Sequence, residues 1–263
     1  MSNLIIILLV TCAASLKAGS TLDTFYHRFH QNAKIDRVSH LVETTDPFLG
    51  VAYLFSPLSD DGSNDITEKA FDCVTFVDTS LSLFYAQKVD DFCDFWQERR
   101  YQSGMKSMLN RNHIYELNWL PKAWFLEPIF ESEGFHVSQV IDEGRFYQKL
   151  CERRGINDCH NYSHRPAQTV HMIVQSRDSL LKLPVEQWPD IGMIVNIKTD
   201  YPKDTSGLGT KILVAHMGLI YKKHGQINLR HSSMEKGQVV DVKLMDYIRE
   251  HPSIHSYKVY RLR

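Results

Sequence analysis

The sequence predicts an α+β fold, and two observations carry that prediction. Apolar residues recur at helical spacing in the first half of the chain, at Val74, Val77, Leu81 and Phe84 and again at Phe92, Phe95 and Trp96. From Ile191 onward the period changes to short apolar runs separated by turn residues, which reads as consecutive strands. Helices first and an antiparallel sheet after them is the α+β order.

At 263 residues the chain has room for one large core or two small ones. Its 30 Lys and Arg against 31 Asp and Glu give a formal net charge of -1. That balance supplies no general field to draw nucleic acid or an anionic membrane surface, so no nucleic-acid partner is expected. Residues 1–18 carry an apolar run, Leu4 to Val10, followed by the small residues Ala13, Ala14, Ser15 and Ala18. This is the pattern of a secretory signal peptide, leaving 19–263 as a single domain with an N-terminal helical segment. The run is too short to span a bilayer, so a periplasmic or secreted protein without stable membrane insertion is expected. Lipid attachment at Cys12 is the alternative.

Export permits disulfides, and Cys151 and Cys159 bracket a short Gly-containing loop that a bridge would close. Cys93 lies among Phe92, Phe95 and Trp96 and reads as core. No C-x-x-C spacing occurs, which argues against a zinc or thioredoxin-like site, and no metal or cofactor is expected. Residues 144–154 form a short helix ending in Arg153-Arg154-Gly155, cations and a glycine where a helix stops. After it, Cys159-His160-Asn161-Tyr162-Ser163-His164 reads as a solvated loop, with a metal-ligating cluster as the alternative.

Cys73 stands apart from the other cysteines. Asp72 is a plausible N-cap for the helix carrying Val74 and Val77, which puts Cys73 in the first turn. There the unsatisfied backbone N–H groups and the positive end of the helix dipole favour a thiolate. A cysteine nucleophile needs a histidine base and a polar group to orient it. The runs Ile212 to Tyr221 and Ile227 to Ser233, joined by a turn around Gly225, offer His216 and His231. With a two- or four-residue turn both histidines share one face, and with a three-residue turn they do not. His216 follows Cys73 by 143 residues, inside the ~130–150 residue window between nucleophile and base in papain-like enzymes.

These residues carry a resemblance. Phe71-Asp72-Cys73-Val74-Thr75-Phe76-Val77, Ala215-His216-Met217-Gly218-Leu219-Ile220 and Arg230-His231-Ser232-Ser233 resemble the NlpC-like branch of the papain-type cysteine peptidases. Within that branch the similarity is to the N-acetylmuramoyl-L-alanine amidase-like family, and it extends over residues 45–263. The segments Arg100-Tyr101-Gln102-Ser103-Gly104 and Arg111 to Trp119 match further family blocks. The longer, acid-free approach Gly207 to Val214 departs from the pattern, as does Asp78, which stands in place of a Glu.

The resemblance implies a papain-like (NlpC-like) fold, with Cys73 as nucleophile, His216 as base and His231 as the orienting residue. It also implies Tyr53, Asp72, Arg100, Arg111, Trp119 and Ser232 as substrate contacts, and peptidoglycan fragments as substrate. The reaction expected is hydrolysis of the amide between N-acetylmuramic acid and L-alanine through a thioester. The alternatives are a stem endopeptidase or an acyltransferase on the same fold, and a non-catalytic wall-binding module.

Overall fold

The computed structural model describes residues 36–57, 69–102, 106–199 and 207–263. The leader expected over 1–18, with Cys12, lies outside them, as does the loop expected over 59–64. Among the described residues no helix is long and apolar enough to cross a membrane.

The architecture is mixed α+β, built on a ten-stranded sheet with strand order β2-β1-β9-β8-β7-β6-β10-β5-β4 and β3 beside β10. Four neighbours in the middle of this order are β6 (Ile191–Ile197), β7 (Val214–Lys223), β8 (Gln226–Ser233) and β9 (Gln238–Lys243), with β10 (Ser256–Leu262) beside β6. The apolar runs of the sequence at 191–197, 212–221, 227–233, 238–242 and 256–262 match these five strands to within a few residues. At the β9 edge lie β1 (Ala52–Tyr53) and β2 (Ala70–Phe71), paired parallel to each other; the other pairings are antiparallel. The expected order of helices followed by sheet is corrected at the other edge. There β4 (Phe135–Asp142) and β5 (Ala167–Ser176) form a long antiparallel pair, and β3 (Leu126–Ile129) joins β10. Half of the residues of β4 are exposed, the apolar Phe135 and Val140 among them, so it lacks the core-facing alternation that marks the later strands.

One face of the sheet is covered by α1 (Arg37–Thr45), α2 (Cys73–Tyr85) and α3 (Val89–Arg100). Phe76, Val77 and Leu81 of α2 pack there with Phe92 and Trp96 of α3 and with Val195, Met217 and Leu219 of the sheet. The opposite face carries α7 (Leu244–Glu250), whose Leu244, Tyr247 and Ile248 pack on Ile194, Ile220 and Leu229. A third apolar cluster joins Ile141 of β4 to α4 (Glu143–Arg154) through Phe146 and Leu150. Helix α4 stops at Gly155 with φ +64°, as its sequence predicts. The Cys151–Cys159 disulfide is present, with Cα atoms 6.3 Å apart. The loop expected after it holds a short helical turn, α5 (His160–Ser163). Cys93 is buried in the core as expected and is disulfide-bonded too, which leaves Cys73 as the free cysteine among the described residues.

Arg230 ties the N-terminal helix to the sheet. It is 2% exposed, its Nε donates to Asp241 at 2.9 Å, and Nη1 donates to the Val42 carbonyl at 3.0 Å and Thr45 Oγ1 at 2.6 Å. Nη2 pairs with Asp46 at 2.8 Å. Replacing it by Leu keeps volume but strands these acceptors, so urea denaturation of Arg230→Leu is expected to show a loss of about 3 kcal/mol.

Candidate active site

Helix α2 begins where the sequence places it because Asp72 and Thr75 cap each other. The Asp72 carboxylate accepts from Thr75 N at 2.7 Å, and Thr75 Oγ1 accepts from Asp72 N at 2.9 Å. Cys73 is therefore the first residue of the helix. Ser232 Oγ donates to the Phe71 carbonyl at 2.8 Å, fixing the approach to the helix against β8 one residue from His231. Ser232 is fully buried in this contact and is not among the residues that line the cavity described below.

The β7–β8 turn has two residues, His224 at φ +52° and Gly225 at φ +70°, the pattern of a type I′ hairpin. Lys223 then pairs with Gln226 and Leu219 with Arg230, which puts His216 and His231 on one face. Their rings meet with His216 Nε2 and His231 Nδ1 2.8 Å apart, a separation bridged by one proton. Gly218, between them on that face, makes room for this contact. A Cβ there would stand 2.8 Å from the His231 Cβ and 2.7 Å from a Leu229 methyl. The His-x-Gly spacing thus has a steric reason.

Cys73, His216 and His231 line one cavity of about 820 Å³, together with Tyr53, Asp72, His113, Tyr115, Asn196 and Tyr247. The thiol is met by the backbone N–H groups of Cys73, Val74 and Met217, all of which favour its ionised form. Burial outweighs them, with the Asp72 carboxylate adding to it, and the Cys73 thiol is pushed up to about 12. The thiolate expected from the helix dipole is corrected on this point. Burial likewise lowers His216 to about 3 and His231 to about 4, each ring also being disfavoured as a cation by its histidine neighbours. The resting pair is a neutral thiol and a neutral imidazole. Tyr53 is raised to about 12 by burial and by Cys73 and Asp72, and so keeps its proton as a donor.

The other sequence-based contacts are not brought together. Arg100, Arg111 and Trp119 are buried at 8%, 2% and 1% exposure and do not reach the cavity wall. Trp119 Nε1 donates to Asp78 Oδ1 at 2.8 Å, and Arg100 Nη1 stands 3.7 Å from Asp78 Oδ2. Asp78 sits on the core side of α2, and its buried carboxylate needs these cations and donors around it. Trp119 and Arg100 thus brace α2, the helix that begins at Cys73, and none of the three residues lines the cavity. Asn196 and Tyr247 escaped the sequence reading. Asn196 Nδ2 donates to the Tyr247 hydroxyl at 2.8 Å, and the Tyr247 ring lies 5.2 Å from that of His231. The signal for Asn196 was present, since it is the one polar side chain in the strand Ile191–Ile197. Tyr247 had none, being one apolar position of an ordinary amphipathic helix. Glu116 is another such case: its carboxylate accepts from Leu213 N just before β7, fixing the approach to that strand from a distant segment.

The chain matches the AmiA-like family, N-acetylmuramoyl-L-alanine amidase-like, over residues 43–254. It belongs to that family. Among solved structures it is similar to a Legionella pneumophila protein, with 19% identity, a TM-score of 0.79, and 91% of this chain and 93% of that one covered. It is also similar to an N-acetylmuramoyl-L-alanine amidase from Bacteroides uniformis, with 20% identity, a TM-score of 0.64 and 85% and 98% coverage. At these identities the likeness is one of fold. No curated protein matches the chain.

Two predictions follow from the electrostatics. Alkylation of native Cys73 by iodoacetamide should be slow at pH 7 and still accelerating at pH 9, because the thiol remains protonated until about 12. A rate that levels off below pH 8 contradicts the neutral pair. His113, lowered to about 3 chiefly by burial, joins His216 and His231 as a histidine held neutral. Their folded-state values lie below the unfolded value of ~6.5, so as pH falls the unfolded chain takes up protons before the folded one. Stability is therefore complete above about 6.5 and is lost progressively toward 3 to 4. Thermal melts at half-unit pH steps should show the midpoint falling across that window, and His113→Gln should flatten the fall.

Proposed function

We propose that this chain hydrolyses the amide joining N-acetylmuramic acid to L-alanine in peptidoglycan fragments, with Cys73 as nucleophile. The observation that carries the reading is the placement of a helix-start thiol and a hydrogen-bonded histidine pair on one cavity, in a chain of the amidase-like family. We assign the proton shared by His216 Nε2 and His231 Nδ1, 2.8 Å apart, to His216, which leaves His216 Nδ1 unprotonated and free to accept the thiol proton. His231 is the orienting residue: it fixes the tautomer and the ring plane and shares the charge that forms.

Because thiol and imidazole start neutral, proton transfer accompanies attack. The sulfur adds to the lactyl carbonyl as His216 takes its proton. The oxyanion is met by the Cys73 backbone N–H and the Tyr53 hydroxyl, each such donor contributing on the order of 3 kcal/mol to the transition state. Collapse expels the L-alanine amine, which takes the proton back from His216. Water, deprotonated by His216, then hydrolyses the thioester and regenerates the thiol. No step requires a metal or an organic cofactor. An exported enzyme would meet this substrate in the periplasm or outside the cell, consistent with the leader pattern of residues 1–18.

Digestion of purified muropeptides followed by mass spectrometry tests the reading. The wild-type chain should release free stem peptide and leave N-acetylmuramic acid intact, and cleavage within the stem would assign an endopeptidase instead. Cys73→Ala should lower turnover to background with an unchanged melting temperature, and activity retained in that variant rejects the nucleophile. His231→Ala should lower kcat by about 10²-fold or more with a smaller change in KM, as expected for a group that acts through the base.

A further inference from the structure

Seven large apolar side chains among the described residues are exposed, and the two most exposed are Phe55 at 79% and Met234 at 75%. These two line the cavity that holds Cys73, whereas Leu49, Leu54, Trp124, Phe135 and Val140 do not. Single exposed apolar residues scattered over a surface need no explanation, but two on the rim of one cavity form a feature of that cavity.

Both side chains are held up by ordered backbone. Around Phe55 the chain is stitched at three points: Tyr53 N donates to the Gly237 carbonyl at 2.7 Å, Leu54 N to the Phe71 carbonyl at 3.0 Å, and Ser56 N to Asp72 Oδ2 at 3.2 Å. Ser56 adopts φ +53°, a left-handed conformation that a non-glycine residue enters at a cost. The second oxygen of the carboxylate that caps α2 holds it there. Met234 rises from the tight turn between β8 and β9, closed by Lys236 N donating to Ser233 Oγ at 3.1 Å and by Gly237 at φ +69°. The Tyr53–Gly237 hydrogen bond joins the two segments. The strain at Ser56 thus maintains an aromatic ring in solvent beside the nucleophile.

We propose that Phe55, with Met234 beside it, is the platform for the pyranose ring of the substrate, so that this rim takes the sugar side of the scissile bond. The inference rests on the amidase reading above and names the subsite that reading leaves open. Of the two halves of a muropeptide, the stem carries carboxylates, which Lys236 and Lys243 of the cavity lining suit better than Phe55 and Met234 do. The sugar presents a face of C–H bonds polarised by neighbouring oxygens, and such hydrogens suit the negative face of an aromatic ring. The rim is continuous with Tyr53 and Asp72, the residues flanking the thiol, where the group bearing the scissile carbonyl must lie.

The test uses the full chain carrying Cys73→Ala, so that turnover does not intervene, with the methyl glycoside of N-acetylmuramic acid, its lactyl carboxyl blocked as the methylamide, as a sugar probe and L-alanyl-D-isoglutamine as a peptide probe. Binding is read by ligand-observed NMR titration. Adding Phe55→Ala should raise Kd for the sugar about tenfold and shift the peptide far less, and Phe55→Trp should keep sugar binding within about twofold of the parent. The proposal is overturned if the sugar does not bind, if Phe55→Ala binds it as tightly as the parent, or if both probes weaken alike. The amidase reading fails differently, through a wild-type chain that leaves muropeptides uncut while Phe55-dependent sugar binding persists.

Discussion

The Asp72 carboxylate is the group on which the rest of the site depends. One oxygen caps α2 through Thr75 and thereby sets Cys73 at the first helical position. The other oxygen holds Ser56 in a left-handed turn beside the cavity mouth. Its charge acts in the opposite sense on the thiol, opposing the ionisation that the backbone N–H groups favour. A residue that reads as an ordinary N-cap therefore couples helix position, rim geometry and the acidity of the Cys73 thiol. These three properties cannot be tuned independently in this chain.

The histidine pair imposes the second constraint. A two-residue hairpin fixes the register, and Gly218 removes the one Cβ that would separate the rings, so the imidazoles hydrogen-bond to each other with no carboxylate between them. At His231 the Asp241 and Glu235 carboxylates offset the burial of an imidazolium only in part, and at His216 burial and the neighbouring rings act together, so both rings are held neutral. In the mechanism proposed above, a neutral thiol beside a neutral base generates its nucleophile during attack rather than storing it. The geometry then matters more than resting acidity, which is consistent with the density of struts around the site: Ser232 on Phe71, Asn196 on Tyr247, and Glu116 on the approach to β7.

Away from the cavity, buried charge is used for architecture. Asp78 gathers Arg99, Arg100, Tyr115 and Trp119 under α2, and Arg230 gathers Asp46 and Asp241 between α1 and the sheet. Both clusters join segments far apart in sequence to the elements that carry the site. A dense run of arginine and aromatic residues such as 99–119 therefore has the composition of a binding groove while serving as the support of one.

The sequence by itself determined the features set by local chemistry. Asp72 and Thr75 mark the start of α2, apolar runs mark five strands, Gly225 marks the hairpin, and Cys151 and Cys159 are close enough along the chain to bridge. Each depends on neighbours within a few residues, which periodicity and capping rules can see. Only the tertiary structure decided which polar residues face the cavity and which face the core. Arg100, Arg111 and Trp119 turn inward, while Tyr247 and Phe55 reach the cavity from segments whose own patterns do not announce it. The acidity of Cys73 belongs with these. A helix start favours the thiolate, but desolvation depends on everything packed around the sulfur, and that sum exists only once the chain has folded.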